Sequence, residues 1–432
     1  MQAYSGAVEE ATMIFAGNYP RLKLFTSLKQ YLGIVRDAAS RKDMNSKSIG
    51  QLEEEFRKRV NTKYGGFLPM ARVGIYLAVK ALIKPGEFVI LSPYTISDVV
   101  NMVICAGGIP LFVDIDRATC NISFAEIQKA LDSDKRPQVG AILVTHFYGC
   151  ACDIEAISAL CQGEGIPLVE DCAQAFGATV SGRSVGSFGD AGVFSFGLYK
   201  NLNCFLGGML VTNRLDLMEQ IQKEVHEMSS FSLGHYLKFV VKGIITDLIT
   251  WPPFFRAITF RIFRFGLLNN VDSINNKLKI DIDPKIAYEV PKEYLYNPTG
   301  LQAQQVLDQL PLATRNTEAR IERARLYYEG LKDIGGLLLP PPRFNGDHVY
   351  WHYPLQFSDR EQLVKFAMEE GSDISMSYHR NCAEMKCFSD YAQPCREAEA
   401  TANSVIYLPT YPSYPLPEAK RIIATIRTMF GA

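Results

Sequence analysis

The chain has 432 residues, 47% of them hydrophobic and 21% charged, with a formal net charge of -1. A chain of this length can bury a large core and is expected to divide into two domains. With 45 basic and 46 acidic residues there is neither a basic excess for nucleic acid nor the acidic excess of a disordered polymer.

The first residues, Met1-Gln2-Ala3-Tyr4-Ser5, lack the basic-then-apolar order of a secretory signal. The ten cysteines include one tight pair, Cys150 and Cys152, with no second pair or histidine at zinc-ligand spacing. Reduced thiols in a cytoplasmic protein are the expectation. Ser48 to Val60 reads as an amphipathic helix with Leu52, Phe56 and Val60 on one face.

From about residue 70 to 215, apolar runs alternate with helical patterns. The runs Phe88 to Pro93, Ile109 to Asp114, Val139 to His146 and Ile166 to Asp171 read as buried strands. Ala125 to Leu131 and Ile154 to Cys161 read as helices between them. Continuous apolar strands separated by helices predict a mostly parallel sheet covered on both faces, an α/β fold. Asp114, His146 and Asp171 stand at C-terminal strand ends, the edge where ligands bind in such sheets.

Residues 215–295 break the alternation. On a helical wheel Arg256, Arg261 and Arg264 share one side, and Phe254, Phe255, Ile258, Ile262 and Phe265 the other. Lys242, Asp247 and the prolines interrupt the run, which argues against the ~20 apolar residues of a membrane span. The segment is expected to pack on its own protein or on a partner subunit. The alternative is peripheral contact of residues 237–268 with an anionic membrane surface. Ala313 to Leu331 reads as a long charged helix and Pro417 to Met429 as a final one. The expected division is residues 1–310, an N-terminal arm and large domain carrying the 215–295 insert, and 311–432, a small α+β domain.

Asp171, Ser195 and Lys200 follow one another at the ends of apolar runs. A carboxylate for a pyridine nitrogen, a hydroxyl for a phosphate and an amine for a Schiff base are the groups that hold pyridoxal phosphate. Glu170-Asp171-Cys172-Ala173-Gln174, Gly182 to Asp190, Phe194-Ser195-Phe196 through Lys200-Asn201, and Gly207-Gly208-Met209-Leu210-Val211-Thr212-Asn213 carry a wider likeness. Upstream, Asp114-Ile115-Asp116 and His146-Phe147-Tyr148-Gly149 extend it. With these segments the chain resembles the DegT/StrS family of sugar aminotransferases, fold type I enzymes, over most of its length.

The resemblance implies roles. Lys200 would be the Schiff-base lysine and proton shuttle, Asp171 the partner of the pyridinium, and Gln174 that of the ring hydroxyl. Ser195 and the backbone at Ala71-Arg72, opening a helix from Val73 to Leu82, would hold the phosphate. Tyr296-Asn297 resembles the segment that reaches the phosphate of a neighbouring subunit, implying a homodimer with shared sites. The expected activity is amino transfer, with glutamate as donor, to an oxo-sugar of cell-surface polysaccharide or lipopolysaccharide synthesis. The sugar is either nucleotide-linked or an 8-oxo-octulosonate. Relatives that dehydrate sugars carry histidine at the lysine position, and a regulatory protein with little turnover is the other alternative.

Four departures stand out. Ala71-Arg72 replaces a Gly-Thr pair, so Arg72 either binds phosphate through its side chain or only caps the helix. Ile96 stands where a stacking aromatic is usual, leaving Tyr94 or an apolar side chain to substitute. Phe205-Leu206 replaces Gly-Glu and is expected to reshape the substrate entrance. The stretch between Gly208 and Asn297 is longer than the family's. Arg183, His379 and Arg380 are basic candidates for an acidic substrate, each otherwise an ordinary surface residue. The glycine-rich Gly186 to Gly192 resembles a phosphate loop by pattern only.

Overall fold

The computed structural model describes residues 18–24, 26–40, 46–229, 231–275 and 284–432. The reading of Met1 to Ser5 and part of the 215–295 insert therefore lie outside the described residues. Seven strands form the main sheet: β1 (Tyr64–Leu68), β2 (Phe88–Leu91), β3 (Ile109–Phe112), β4 (Val139–Thr145), β5 (Leu168–Asp171), β6 (Ala191–Ser195) and β7 (Gly208–Thr212). Their order is β1-β7-β6-β5-β4-β2-β3. The β3-β2-β4-β5-β6 run is parallel, and β7 is antiparallel to both β6 and β1.

Away from their ends these strands are mostly apolar because helices cover both faces. Along β6 and β7, Val193 and Leu210 join a cluster with α3 (Ala71–Leu82) and α4 (Ser97–Cys105). The alternate residues Phe194, Met209 and Val211 join Leu52, Phe56 and Val60 of α2 (Ser46–Val60) on the other face. N-terminal to these lies α1 (Leu28–Ser40). The helices α5 (Phe124–Leu131) and α6 (Ile154–Glu164) cover β2, β3 and β4 on that face. Beyond β7 come α7 (Leu215–His226), α8 (Leu233–Ile249), α9 (Phe260–Leu268) and α10 (Gly300–Gln309). The C-terminal part contains α11 (Ala313–Leu331), β8 (Tyr353–Gln356), α12 (Arg360–Glu369), β9 (Ser375–Met376), α13 (Arg396–Ser404), β10 (Val405–Leu408) and α14 (Leu416–Phe430). Here β8, β10 and β9 make a three-stranded antiparallel sheet.

Two of the three polar strand ends are committed to the fold. The Asp114 carboxylate accepts from the N–H groups of Glu397 (3.0 Å) and Ala398 (2.9 Å), so it caps α13. His146 is buried; its Nδ1 accepts from the Cys152 N–H at 3.1 Å, so its proton lies on Nε2, facing the Glu170 carboxylate at 3.2 Å. Glu170 is fully buried and accepts three further backbone N–H bonds, from Gly186, Phe188 and Gly189, each 2.7 Å. The glycine-rich loop therefore cradles an internal carboxylate, and its phosphate-like pattern is explained without a phosphate. All ten cysteines are free thiols, and Cys150 and Cys152 are buried.

The apolar stripe of the insert also differs from the helical wheel. Phe255 to Thr259 form a π turn, which inserts one residue and rotates the next helix, α9, by roughly 100°. Phe255 and Phe260 point inward onto Met368, while Ile258, Ile262 and Phe265 are exposed.

Glu170→Ala would strand three buried N–H donors and the His146 ring. We expect a loss of about 3–5 kcal/mol in unfolding free energy, read by urea denaturation. An unchanged midpoint would refute the role given to this carboxylate.

Candidate active site

Register gathers the chemistry at the C-terminal edge of the sheet. Asp171 ends β5, opposite Thr145 of β4 and Val193 of β6. Two residues on, Ser195 ends β6 and pairs with Gly208, which on its other side pairs with Leu68. A Cβ at Gly208 would lie 2.6 Å from the Ala71 nitrogen, so only glycine lets β7 pass this close to the start of α3. Met70, the N-cap of α3, makes no side-chain cap bond. Ser195 thus lies beside a helix N-terminus whose N–H groups have no capping side chain, a natural seat for an anion.

Asp171 is 5% exposed. Its Oδ1 accepts from the Ala173 N–H at 3.0 Å and its Oδ2 from the Thr145 hydroxyl at 3.4 Å. Burial pushes its carboxyl up, opposed by the Ala173 N–H, Lys200 and other neighbours. Lys200 lies in the turn after β6, where its N–H donates to the Gly197 carbonyl (3.0 Å). Desolvation pushes its ammonium down to about 8; Arg72 acts in the same direction and Asp171 against it. The Oε1 of Gln174 accepts from the Tyr148 N–H at 2.7 Å, so its amide NH2 is what it has to offer a ligand. Ser195 Oγ accepts from the Gly197 N–H at 3.3 Å. Both side-chain polar atoms of Asn201, next to Lys200, are buried without a hydrogen-bond partner.

The other expected side chains are engaged differently. Arg72 pairs with Asp98 and lies 5.0 Å from the centre of the Tyr294 ring, whose hydroxyl it meets at 3.1 Å. Asn297 donates to the Met228 carbonyl at 3.1 Å and lines a separate groove with Phe67 and Gln222. Tyr94 is fully buried, its hydroxyl bonded to those of Tyr148 (2.7 Å) and Ser377 (3.0 Å), so it is not presented to a cofactor ring. Phe205 is buried against Tyr31 and Tyr236, at centroid distances of 5.9 and 6.1 Å, and lines no entrance. Arg183 stacks on Phe188 at 4.3 Å and bonds Ser187. His379 is no surface cation: it is 3% exposed, and burial pushes its imidazole down to about 3.

The C-terminal part supplies what the sequence did not reveal. Lys200 Nζ stands 4.4 Å from the centre of the Trp351 ring. That indole is fixed by Nε1–H donation to the Tyr199 carbonyl (2.8 Å) and by its own N–H to the Tyr148 carbonyl (2.7 Å). It follows Tyr350, whose φ of 47° is left-handed, and Gly149 (φ 78°) leaves room for it: a Cβ there would lie 2.9 Å from the Trp351 nitrogen. Neighbouring His352 is buried and held well below its usual range by desolvation, with Arg320 and Lys200 adding to this. Aromatic crowding from His348 to Tyr353 was the only sequence signal for this wall.

A buried carboxylate, an amine of depressed basicity, a hydroxyl and an uncapped helix start could together hold a phosphorylated pyridine aldehyde such as pyridoxal phosphate. The observations that fit it are the glycine-only approach at Gly208, the open start of α3 and the unpartnered polar atoms of Asn201. The buried trio His146, Glu170 and Cys172 offers three ligand atoms close together. Their protons and lone pairs already serve the internal network, so that trio reads as structural.

The profile of the DegT/DnrJ/EryC1/StrS aminotransferase family matches residues 34–239 and 288–427. The Bacillus subtilis spore coat polysaccharide biosynthesis protein SpsC is 28% identical over 392 residues, 88% of each chain. The UDP-N-acetyl-3-dehydro-alpha-D-glucosamine 3-aminotransferase of Acidithiobacillus ferrooxidans is 28% identical over 361 residues, 83% of this chain and 82% of its own. Among solved structures, Helicobacter pylori PseC, an aminotransferase involved in pseudoaminic acid biosynthesis, superposes with a TM-score of 0.74 at 16% identity, over 96% of this chain and 99% of that one. A profile matched on both sides of the insert and a shared fold leave one conclusion: the chain belongs to the DegT/DnrJ/EryC1/StrS family and is a pyridoxal-phosphate-dependent aminotransferase.

Proposed function

We propose that this enzyme transfers an amino group from glutamate to an oxo-sugar, a nucleotide-linked keto sugar destined for cell-surface polysaccharide, in the cytoplasm. The observation that carries the reading is the desolvated Lys200 amine beside buried Asp171 on one sheet edge. A lysine there supports the full amino-transfer cycle, whereas dehydration and a purely regulatory role have no feature of this site in their favour. The Acidithiobacillus ferrooxidans relative is named for a UDP-linked keto sugar, which favours the nucleotide-linked class over the octulosonate. Of the basic candidates for a sugar acid, His379 is neutral, Arg183 is spent on Phe188 and Ser187, and the cavity of about 730 Å³ containing Arg380 sets Arg21, Arg360 and Lys365 against Asp272, Glu361, Glu384 and Glu399.

In this proposal the Asp171 carboxylate holds a proton on the ring nitrogen, since a buried anion favours a cation beside it. Gln174 donates its amide N–H to the ring oxygen. Ser195 and the N–H groups at Ala71 and Arg72 take the phosphate. When bound, the cofactor supplies an electron sink for charge developing at the carbon that gives up a proton. Lys200 Nζ moves that proton, and an amine near 8 is close enough to neutrality to act as base and then acid. Trp351 covers one side of the amine and excludes water, and its ring face attracts the ammonium when it forms.

The partner subunit enters through Asn297, which lines a groove apart from Lys200 in its own chain and is proposed to reach the phosphate of the neighbouring copy. An uncovered apolar stripe on α1, Leu28, Leu32 and Val35, gives such a homodimer a surface to bury.

Three measurements test this reading. Lys200→Ala should lower amino transfer from glutamate to a panel of UDP- and dTDP-keto sugars by on the order of 10³-fold or more. Activity on the octulosonate alone would overturn the substrate assignment. In cofactor-free protein the Lys200 amine should titrate near 8, and Asp171→Asn should lower that midpoint further, because the carboxylate is the neighbour that raises it. Selective methylation and carbon NMR read the shift, and an upward one contradicts the geometry. Mixing Lys200→Ala with Asn297→Ala protein should restore about a quarter of wild-type turnover, since half the dimers would carry one intact site. No recovery would mean that the sites are not shared.

A further inference from the structure

We propose that the outer face of residues 233–268 is a docking surface for an anionic lipid bilayer. The segment is an addition to the enzyme: the family profile stops at residue 239 and resumes at 288. It is nonetheless firmly mounted. On α8, Tyr236, Val240 and Gly243 face inward, and a Cβ at Gly243 would collide with the Phe205 ring. The Asp247 carboxylate accepts from the Tyr31 hydroxyl at 2.6 Å. The Thr259 hydroxyl donates to the Ile249 carbonyl at 2.8 Å, and Arg264 donates to the Glu369 carbonyl at 3.1 Å.

The opposite side of α8 is apolar and bare. Val241, Ile244, Ile245 and Leu248 are 52, 45, 52 and 53% exposed, and their spacing puts them on one stripe. Trp251, 56% exposed, follows at the turn into Pro252 and Pro253. Beyond the π turn, Ile258, Ile262 and Phe265 continue exposed. A patch of this kind on a folded chain signals an interaction surface.

Charge selects the occupant. Residues 233–268 hold five basic side chains, Lys238, Lys242, Arg256, Arg261 and Arg264, and a single carboxylate, Asp247. That carboxylate is bonded inward to Tyr31. Lys238 and Lys242 are exposed on α8 itself. A second copy meeting this face across a two-fold axis would set cations against cations. An anionic bilayer takes both features: apolar side chains enter the headgroup boundary while the exposed Lys238, Lys242 and Arg261 reach the phosphates, Arg256 being stacked on Tyr19 and Arg264 bonded to Glu369. An interfacial tryptophan suits the same boundary. Among the described residues no helix is long and apolar enough to cross a membrane, so the segment lies on the surface.

The test is co-sedimentation of the full-length holoenzyme with vesicles of phosphatidylcholine containing phosphatidylglycerol, against phosphatidylcholine alone. We expect binding to the anionic vesicles only, weakened by salt, with a blue shift of Trp251 emission that Trp251→Phe abolishes. Lys238→Gln/Lys242→Gln should weaken binding by about fivefold per lysine lost. Ile245→Ser/Leu248→Ser should reduce it at least as much, while the cofactor spectrum and thermal midpoint stay unchanged. Equal binding to neutral vesicles, no binding, or binding indifferent to these variants would overturn the proposal. So would Ile245→Ser/Leu248→Ser splitting an oligomer without affecting vesicles, which assigns the face to a second copy.

Discussion

The Glu170 carboxylate is the constraint on which the site depends. Fully buried, it accepts three backbone N–H groups of the Gly186–Gly189 loop and meets the His146 ring. Those bonds fix the chain that enters β6 against the end of β5. The parallel register results, with Asp171 beside Val193 and Thr145 and with Ser195 two residues further along. Successive strand residues point to opposite faces. Two neighbouring acids therefore divide the work: Glu170 organises the fold on one side, and Asp171 faces the side where Lys200 is found.

Lys200 shows how burial becomes chemistry. A lysine in water would be almost fully protonated at neutral pH and poor as a base. Here it is desolvated beneath a fixed indole and beside histidines that are themselves neutral. Asp171 pulls its basicity back up, so it settles near 8 instead of falling further. Charge balance would change sign locally once a dianionic phosphate sat at the start of α3 and a protonated ring nitrogen sat on Asp171. The depressed amine and raised carboxyl are thus what a site looks like when its groups are arranged for a ligand charge.

Much of this was legible in the sequence because it is local. Continuous apolar runs could only be strands covered on both faces, and the order Asp171, Gln174, Ser195, Lys200 fell within one short stretch. What could not be read required contacts between distant parts. Trp351 and His379 come from the C-terminal part and carry no spacing that ties them to Lys200. Asp114 and His146 occupied the expected strand ends, yet α13 and Glu170 claim their side chains. Arg72 was assigned by its position next to Ala71, whereas Asp98 and Tyr294 hold its guanidinium. The insert's wheel failed for a geometric reason, since the π turn at Phe255–Thr259 breaks the helical phase on which any wheel relies.

Two departures from the family that looked unrelated turn out to be one. Phe205, in place of a small residue, and the long insert meet where Gly243 leaves room for the ring. Phe205 adopts a left-handed backbone, φ 70°, at a cost of about 1–2 kcal/mol. Burying its ring against Tyr31 and Tyr236 offsets a cost of that size. The same loop is clamped from the other side, by Gln309 bonding the Asn203 backbone in both directions and Gln302 donating to the Leu206 carbonyl at 2.6 Å. Because this loop begins at Lys200, the insert is mounted on the segment that carries the reactive amine. A phenylalanine at 205 is then a structural requirement of the insert, and its selection says nothing about the sugar.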